Sequence, residues 1–517
     1  MSAPRDLRSY RVFDFRKGLD LKTSPLQLAL NKGQNSLTKA DNMVYTTSGA
    51  ATKRFDQTTL TTTSLGATVA ITGGKEYRKS DGTSQVICGT NDGRIVQLNS
   101  DGTTTDLVTG LTASTKWWFE TYNDILICAN RADAPRKWDG TTLSTLGGSP
   151  PATGGPVRAH GNRIFFLDAT QKSRLTWSAL NNEEDYTTAS NAGSVLVSAN
   201  DGADLVDMVP SINELVLLKG SRPYRLQGTS PSTFAITNVV PTTGSVGAAS
   251  SHGNVFAVND VWYMANNGVV NLSTVFQFGD LKERYASDRI AAYWEAGSGH
   301  TLSAQNLDDA VACYDPQYNW LYFAVDSNGD GKNDLLLVYD LLNKAWSPWT
   351  AQSIASMWVV RNSSNGLYEV YAGGYDGHIR VLNRDVSANN IDGHMRHLSC
   401  LDAPGIEKSP RYLFLYLKEE GNYTVAVDTK FDFGNTGGQQ YTASTLGGSK
   451  TLGVNWTLGV DRLGRKDQIV KRMDLTGVGE FVEIGVRNQN DGEPFTVYGF
   501  EVMWRPRRAV RRGTAVA

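Results

Sequence analysis

Two twelve-residue segments of this chain, 284 positions apart, are built alike. Residues 88–99 read CGTNDGRIVQLN and residues 372–383 read AGGYDGHIRVLN. They agree at Gly89/Gly373, Asp92/Asp376, Gly93/Gly377, Ile95/Ile379, Leu98/Leu382 and Asn99/Asn383. Each is one apolar strand, an Asp-Gly turn and a second strand. Asp-Gly favours the positive-φ turns that match the twist of paired strands, so the pattern is a β-hairpin used twice.

Short apolar runs of the same kind fill the interval. Residues 125–128 (ILIC), 164–167 (IFFL), 215–218 (LVLL) and 261–264 (VWYM) begin 39, 51 and 46 positions apart. Turn dipeptides flank such runs, among them Asp139-Gly140 and Asn267-Gly268. A period of about 40–50 residues with four strands per unit is the pattern of a β-propeller. At about 47 residues per unit, 284 positions make six intervals, which gives about seven blades, with six to eight compatible with the spacing. Glycine supplies 51 of 517 residues, above the usual ~7%, as so many tight turns require. Twelve tryptophans suit the flat packing of blade on blade. The strongest helical signal is residues 281–295, with Ser287 as a candidate N-cap.

Beyond residue 390 the strands lengthen, as in residues 412–418 (YLFLYLK) and 496–504 (TVYGFEVMW). Alternation over such stretches reads as an antiparallel β-sandwich. The expected organisation is therefore all-β: an extended N-terminal arm (1–65) that serves docking and ring closure, a propeller (66–390), a sandwich (391–504) and a basic tail (505–517).

Charge is nearly balanced, 50 Lys+Arg against 52 Asp+Glu, which argues against a globally basic nucleic-acid binder. The first twenty residues lack an apolar signal region, and no stretch approaches the ~18 apolar residues of a membrane helix. Cys88, Cys128, Cys313 and Cys400 lie far apart without a CxxC pair and read as core thiols.

Few motifs carry chemistry. Asp326, Asn328 and Asp330 followed by Gly331, with Asp334 beyond, alternate oxygen ligands as a Ca²⁺ loop does. Leu337 stands where an EF-hand has its closing Glu, and the loop lies between strands, so any ion there is structural; no cofactor is required. His394, His397 and Cys400, with Asp402 beyond, are metal-ligand types, but in extended chain positions three apart face opposite sides. No G-x-S-x-G, P-loop or dinucleotide fingerprint occurs in its proper context, and no enzymatic activity is expected. Arg505, Arg507, Arg508, Arg511 and Arg512 make the C-terminal end basic and are candidates for docking or phosphate contact. Near the other end, Arg5, Arg8, Arg11, Arg16 and Lys17 interleave with Tyr10, Phe13 and Phe15.

The opening residues 15–57 resemble the start of tail proteins of short-tailed phages: Gly18 after an aromatic-rich strand, then Pro25, Asn42, Gly49 and Arg54. Residues 311–350 are similar to a later pattern of that family, carried here by Tyr314, Asp315, Val338, Tyr339, Asp340, Trp346 and Ser347. The resemblance implies a tail nozzle, also called tail tubular or packaged-DNA stabilisation protein. Such a protein is a virion component assembled in the host cytoplasm. It forms a ring, usually hexameric, that docks on the adaptor ring below the portal. It retains double-stranded DNA, passes it at ejection without reading its sequence, and carries fibres or spikes outside. A near-neutral chain suits a conduit that must not grip phosphate. Two rival readings are a receptor- or glycan-binding propeller, with or without glycan cleavage, and an intracellular scaffold propeller.

Overall fold

Period-two apolar runs closed by glycine turns become hairpins, and the hairpins stack into sheets. The computed structural model describes residues 7–30, 35–239, 246–273, 285–295, 302, 307–385, 391–401, 404–434, 436–445 and 468–509. Its contacts divide the chain into two units: Gln57–Val338 with Ala351–Leu382, and Met1–Asp56 with Tyr339–Thr350 and Asn383–Ala517.

The first of these is the propeller. Seven antiparallel sheets follow one another along the chain. Their first strands are Ile71–Arg78, Trp118–Tyr122, Gly154–His160, Leu205–Pro210, Asn254–Ala257, Val311–Asp315 and Ser356–Arg361. Each touches the next, and Ser356–Arg361 touches Ile71–Arg78, so the circle closes. Seven sheets meet the number that the repeat implies. The outer strand of the seventh sheet is Asp56–Thr59, which pairs with Ile379–Asp385 and brings the chain's early residues into the last blade.

The repeated hairpin is the second and third strand of blades one and seven. Its glycines are required twice over. Gly93 has φ 82° and Gly377 has φ 73°. A Cβ on Gly93 would lie 2.1 Å from the Leu111 carbonyl oxygen, and one on Gly377 2.7 Å from that of Gly66. Tryptophan packs on glycine between blades. The Trp117 ring lies where a Cβ on Gly89 would stand, 2.2 Å away, and Trp358 covers Gly74 at 2.7 Å. Buried Ile87, Ile95, Phe119 and Leu126 continue the contact between blades one and two.

Within residues 281–295, the described part holds a 3₁₀ helix, Asp288–Tyr293, with a non-helical Ile290. Ser287 makes no side-chain cap; its hydroxyl accepts the Val269 N–H at 3.0 Å instead.

The second unit is a sandwich. One sheet contains Ile406–Lys418 between Gln468–Asp474 and Thr496–Ala509; the other contains Gly393–Ser399, Val482–Asn488, Thr424–Phe431 and Thr436–Ser444 in that order. Leu413, Leu415 and Leu417 of the first sheet and Val425 and Val427 of the second are fully buried, while alternate residues face outward. The His397 and Phe500 rings, one from each sheet, lie 5.4 Å apart.

The N-terminal residues are part of this sandwich rather than a separate arm. Arg8–Val12 and Ala51–Lys53 pair with Thr496–Ala509, and Lys39–Asp41 pairs with Gly393–Ser399. Strand Thr496–Ala509 runs past residue 504, where a tail was expected to begin. Local patterns carry no trace of partners hundreds of positions away, which is why both boundaries differ from the sequence reading.

Candidate functional site

The Asp326 loop is tied to its own backbone. Asp326 is 1% exposed, and its Oδ1 accepts the N–H of Asn328 at 3.0 Å and of Gly329 at 2.7 Å. Its Oδ2 accepts the Gly331 N–H at 2.8 Å. The Asn328 Oδ1 accepts the Asp330 N–H, and Asp334 accepts both the N–H and the hydroxyl of Ser327. Asp, Asn and Gly here build successive Asx turns. Among the described residues no group of three or more His, Cys, Asp or Glu is placed to hold a metal ion.

His394 and His397 fall on opposite faces of Gly393–Ser399. His397 points into the sandwich against Phe500, while His394 lies on the outer face. Burial lowers both to about 4, so both are neutral at pH 7. The Cys400 sulfur accepts a hydrogen bond from Lys408 Nζ at 3.3 Å, and Asp402 lies outside the described residues. Burial pushes the thiols of Cys88, Cys128 and Cys313 up, which suits core residues.

The arginines of the two ends meet in one ladder. Arg8 stacks over the Trp504 ring at 5.4 Å, and Arg11 Nε donates to Glu501 at 2.8 Å. Arg505 and Arg507 are exposed strand residues, with Arg505 opposite Ser409. Arg508 belongs to the same strand. Arg511 and Arg512 lie outside the described residues, as does Arg5.

A buried polar knot organises the second unit, to which Tyr339–Thr350 belongs by its contacts although Ala345–Trp349 is the outer strand of the sixth sheet. Asn42 is 1% exposed and holds φ 55°, a conformation that Asn tolerates better than most residues. Its Nδ2 donates to Thr350 Oγ1 at 2.9 Å and to the Asp392 carbonyl at 3.0 Å. Its Oδ1 accepts the Thr350 N–H at 3.0 Å and Arg54 Nε at 2.9 Å. Arg54 also donates to the carbonyls of Phe55 and Thr350, stands 3.6 Å from Asp56, and stacks on Trp349 at 5.2 Å. Ser347 donates to the carbonyls of Ala40 and Met43. Gly18, at φ 65°, leaves room for Ala345, whose Cβ would be 2.7 Å from an added Cβ. Buried charge is tolerated because each nitrogen of the guanidinium donates to an acceptor and its face lies on a ring.

Inside the propeller, a second polar network pins the inner strands, and nothing in the local sequence announces it. Asp207 is fully buried and accepts from Arg158 at 3.3 Å and from Asn254 at 3.2 Å, which joins blades three, four and five. Burial raises its pKa against the pull of Arg158. Arg131 stacks over Trp118 at 5.6 Å, and His252 Nε2 donates to the Trp117 carbonyl at 3.0 Å. Burial, with Lys116 nearby, lowers His252 to about 3. Lys75 and Glu120 bridge blades one and two at 3.0 Å. Asp207 with Arg158 and Asn254, and Lys75 with Glu120, thus tie neighbouring blades to one another.

No protein family and no curated protein matches this chain. Among solved structures it is similar to YCF48 bound to a D1 peptide, at 12% identity over 62% of this chain and 94% of that one, TM-score 0.39. It is also similar to the computationally designed Ika8 protein, at 12% identity over 63% and 99%, TM-score 0.37. A third is the extracellular domain of the putative hybrid two component system BT4673 from B. thetaiotaomicron, at 11% identity over 66% of this chain and 41% of that one, TM-score 0.43.

Proposed function

We propose that this chain is a structural virion protein, the nozzle subunit of a short phage tail. In this reading it forms a ring, six subunits in all, that docks on the tail adaptor. It retains packaged double-stranded DNA and passes it at ejection, and it acts without catalysis. Fibres or spikes attach to its outer surface.

One observation supports the reading above the others. Residues that carry the resemblance to tail proteins are drawn from two segments about 300 positions apart, yet Gly18, Asn42, Arg54, Trp346 and Ser347 belong to one packed region. Asn42 and Arg54 bond the backbone of Thr350, and Ser347 bonds that of Ala40 and Met43. A likeness that rests on mutually bonded, fold-determining groups is worth more than one scattered over the surface. The formal charge of −2 suits a conduit.

Negative-stain imaging of the purified protein, alone and with a tail adaptor, tests it. Six-fold rings, or rings that form on adding the adaptor, are expected. A monomer that hydrolyses or captures glycans and ignores the adaptor would replace the nozzle with a receptor-binding propeller.

A further inference from the structure

The outer face of one sandwich sheet carries a polar cleft of about 510 Å³, within the range of ligand pockets. Strand register explains the depression. One row across the sheet runs His394, Arg487, Ala426, Thr442; the next runs Arg396, Gly485, Asp428, Gln440. Each row has one small residue in its middle, Ala426 in the first and Gly485 in the second. Arg396 reaches over Gly485 to Asp428 at 2.8 Å, and a Cβ on Gly485 would lie 2.2 Å from the Asp428 carboxylate oxygen. A side chain there would fill the floor.

The polar groups around this floor are unequally satisfied. Arg396 is matched by Asp428 and Glu483, and Arg487 by Asp392 at 2.7 Å. Lys430, at the rim, makes no ion pair among the described residues. His394 is 8% exposed, and its Nε2 has no hydrogen-bond partner. An unmet buried nitrogen is costly, and a ligand hydroxyl that displaced its cover and reached it would offset that cost. Gln440, Thr442 and Asn490 add neutral donors and acceptors. The diagonal from His394 to Lys430 crosses two strands and four residues, about 16 Å, the length of an oligosaccharide rather than of one ring.

We propose that this cleft binds an acidic oligosaccharide, its hydroxyls on His394, Gln440 and Thr442 and a carboxylate on Lys430. No aromatic side chain is among the described lining residues, so base stacking has no platform. The matched ion pairs leave little surplus charge for a phosphate chain. A polar floor gives nothing to an apolar peptide or a lipid tail. Ligands whose every ring carries groups that both donate and accept fit what remains.

The test is calorimetric titration of the full chain with trigalacturonate and with neutral maltotriose. Trigalacturonate is expected to bind saturably and more tightly than maltotriose. Ala426→Trp, at an exposed position, is expected to weaken binding at least about tenfold by filling the floor, and Lys430→Gln to remove the preference for the acid. Three results would overturn the proposal: no saturable binding of either sugar, binding unchanged in Ala426→Trp, or equal binding of both sugars by the wild type. If Ala426→Trp instead changes the oligomeric state, the face is a contact between subunits and the proposal fails. None of these readouts requires the nozzle ring, so this proposal and the proposed function fail separately.

Discussion

The propeller and the sandwich are both antiparallel β structure, yet they are assembled on opposite principles. Within the propeller each strand pairs with its neighbour in sequence, and only Asp56–Thr59 comes from afar. Within the sandwich the ladder that joins Arg11 to Glu501 spans 490 positions. Local pairing has a low closure cost and recurs as a readable pattern. Distant pairing must repay a large loop entropy and is held by groups that occur once. The propeller is thus a repeated device with distributed stability, whereas the sandwich depends on a few irreplaceable side chains.

Four experiments break or sharpen that contrast. The largest effect is expected at the knot. Arg54→Ala leaves Asp56 buried without its ion partner and takes one of four hydrogen bonds from Asn42, and is expected to cost about 3–5 kcal/mol, read from urea denaturation and from proteolysis of the sandwich unit. An equally large effect from Asp92→Ala, in a turn of the repeated hairpin, would erase the distinction.

Acid comes next. His397 is near 4 when folded and about 6.5 when unfolded, so the unfolded chain binds more protons between those values. Its contribution is complete above pH 6.5 and is lost as pH falls towards 4, about 3 kcal/mol in all. His394 acts in the same direction. In the propeller, His252 does likewise, but Asp315, raised to about 6 by burial, opposes it: its contribution is complete below about 3.9 and is lost as pH rises through 6. The sandwich is expected to open first as pH is lowered, and proteolytic mapping at pH 5 would reveal the order.

Smaller is the effect of overpacking one blade contact. Gly89→Ala drives a methyl into the Trp117 ring and is expected to cost about 1–3 kcal/mol by denaturant melts, with the sandwich untouched. The smallest is expected at the Asp326 loop. Asp326→Ala removes three backbone hydrogen bonds and is expected to cost about 1–2 kcal/mol. EDTA is expected to leave the wild-type Tm unchanged; a fall reversed by Ca²⁺ would give the loop a structural ion.

The same contrast governs what could be read in advance. Gly93, Gly377 and the strands beside them disclose the propeller, because turn chemistry and period-two alternation are local properties. The sandwich was visible as long alternating strands, but its share of the early chain was not: nothing near Arg8 or Lys39 encodes Trp504 or Arg396 as a partner. The Asp207 network and the Arg396–Gly485–Asp428 crossing were equally hidden, since each joins single residues whose strands give no sign of facing one another. The Asp326 motif had the opposite character. Its spacing is as clear as any in the chain, yet Asx turns and cation loops draw on the same residues, so the pattern alone does not separate them.

Thr496–Ala509 pairs with Arg8–Val12, Ala51–Lys53 and Ile406–Lys418, so it is a late segment around which early ones are organised. During translation the propeller's hairpins can form as they leave the ribosome, but Arg8–Val12 stays unpaired until this segment emerges. A ribosome that stops short of it releases a chain with intact blades and open strand edges, which proteases and holdase chaperones recognise. The order of residues thus makes the pairing of Arg8–Val12 wait on the last strand of the sandwich.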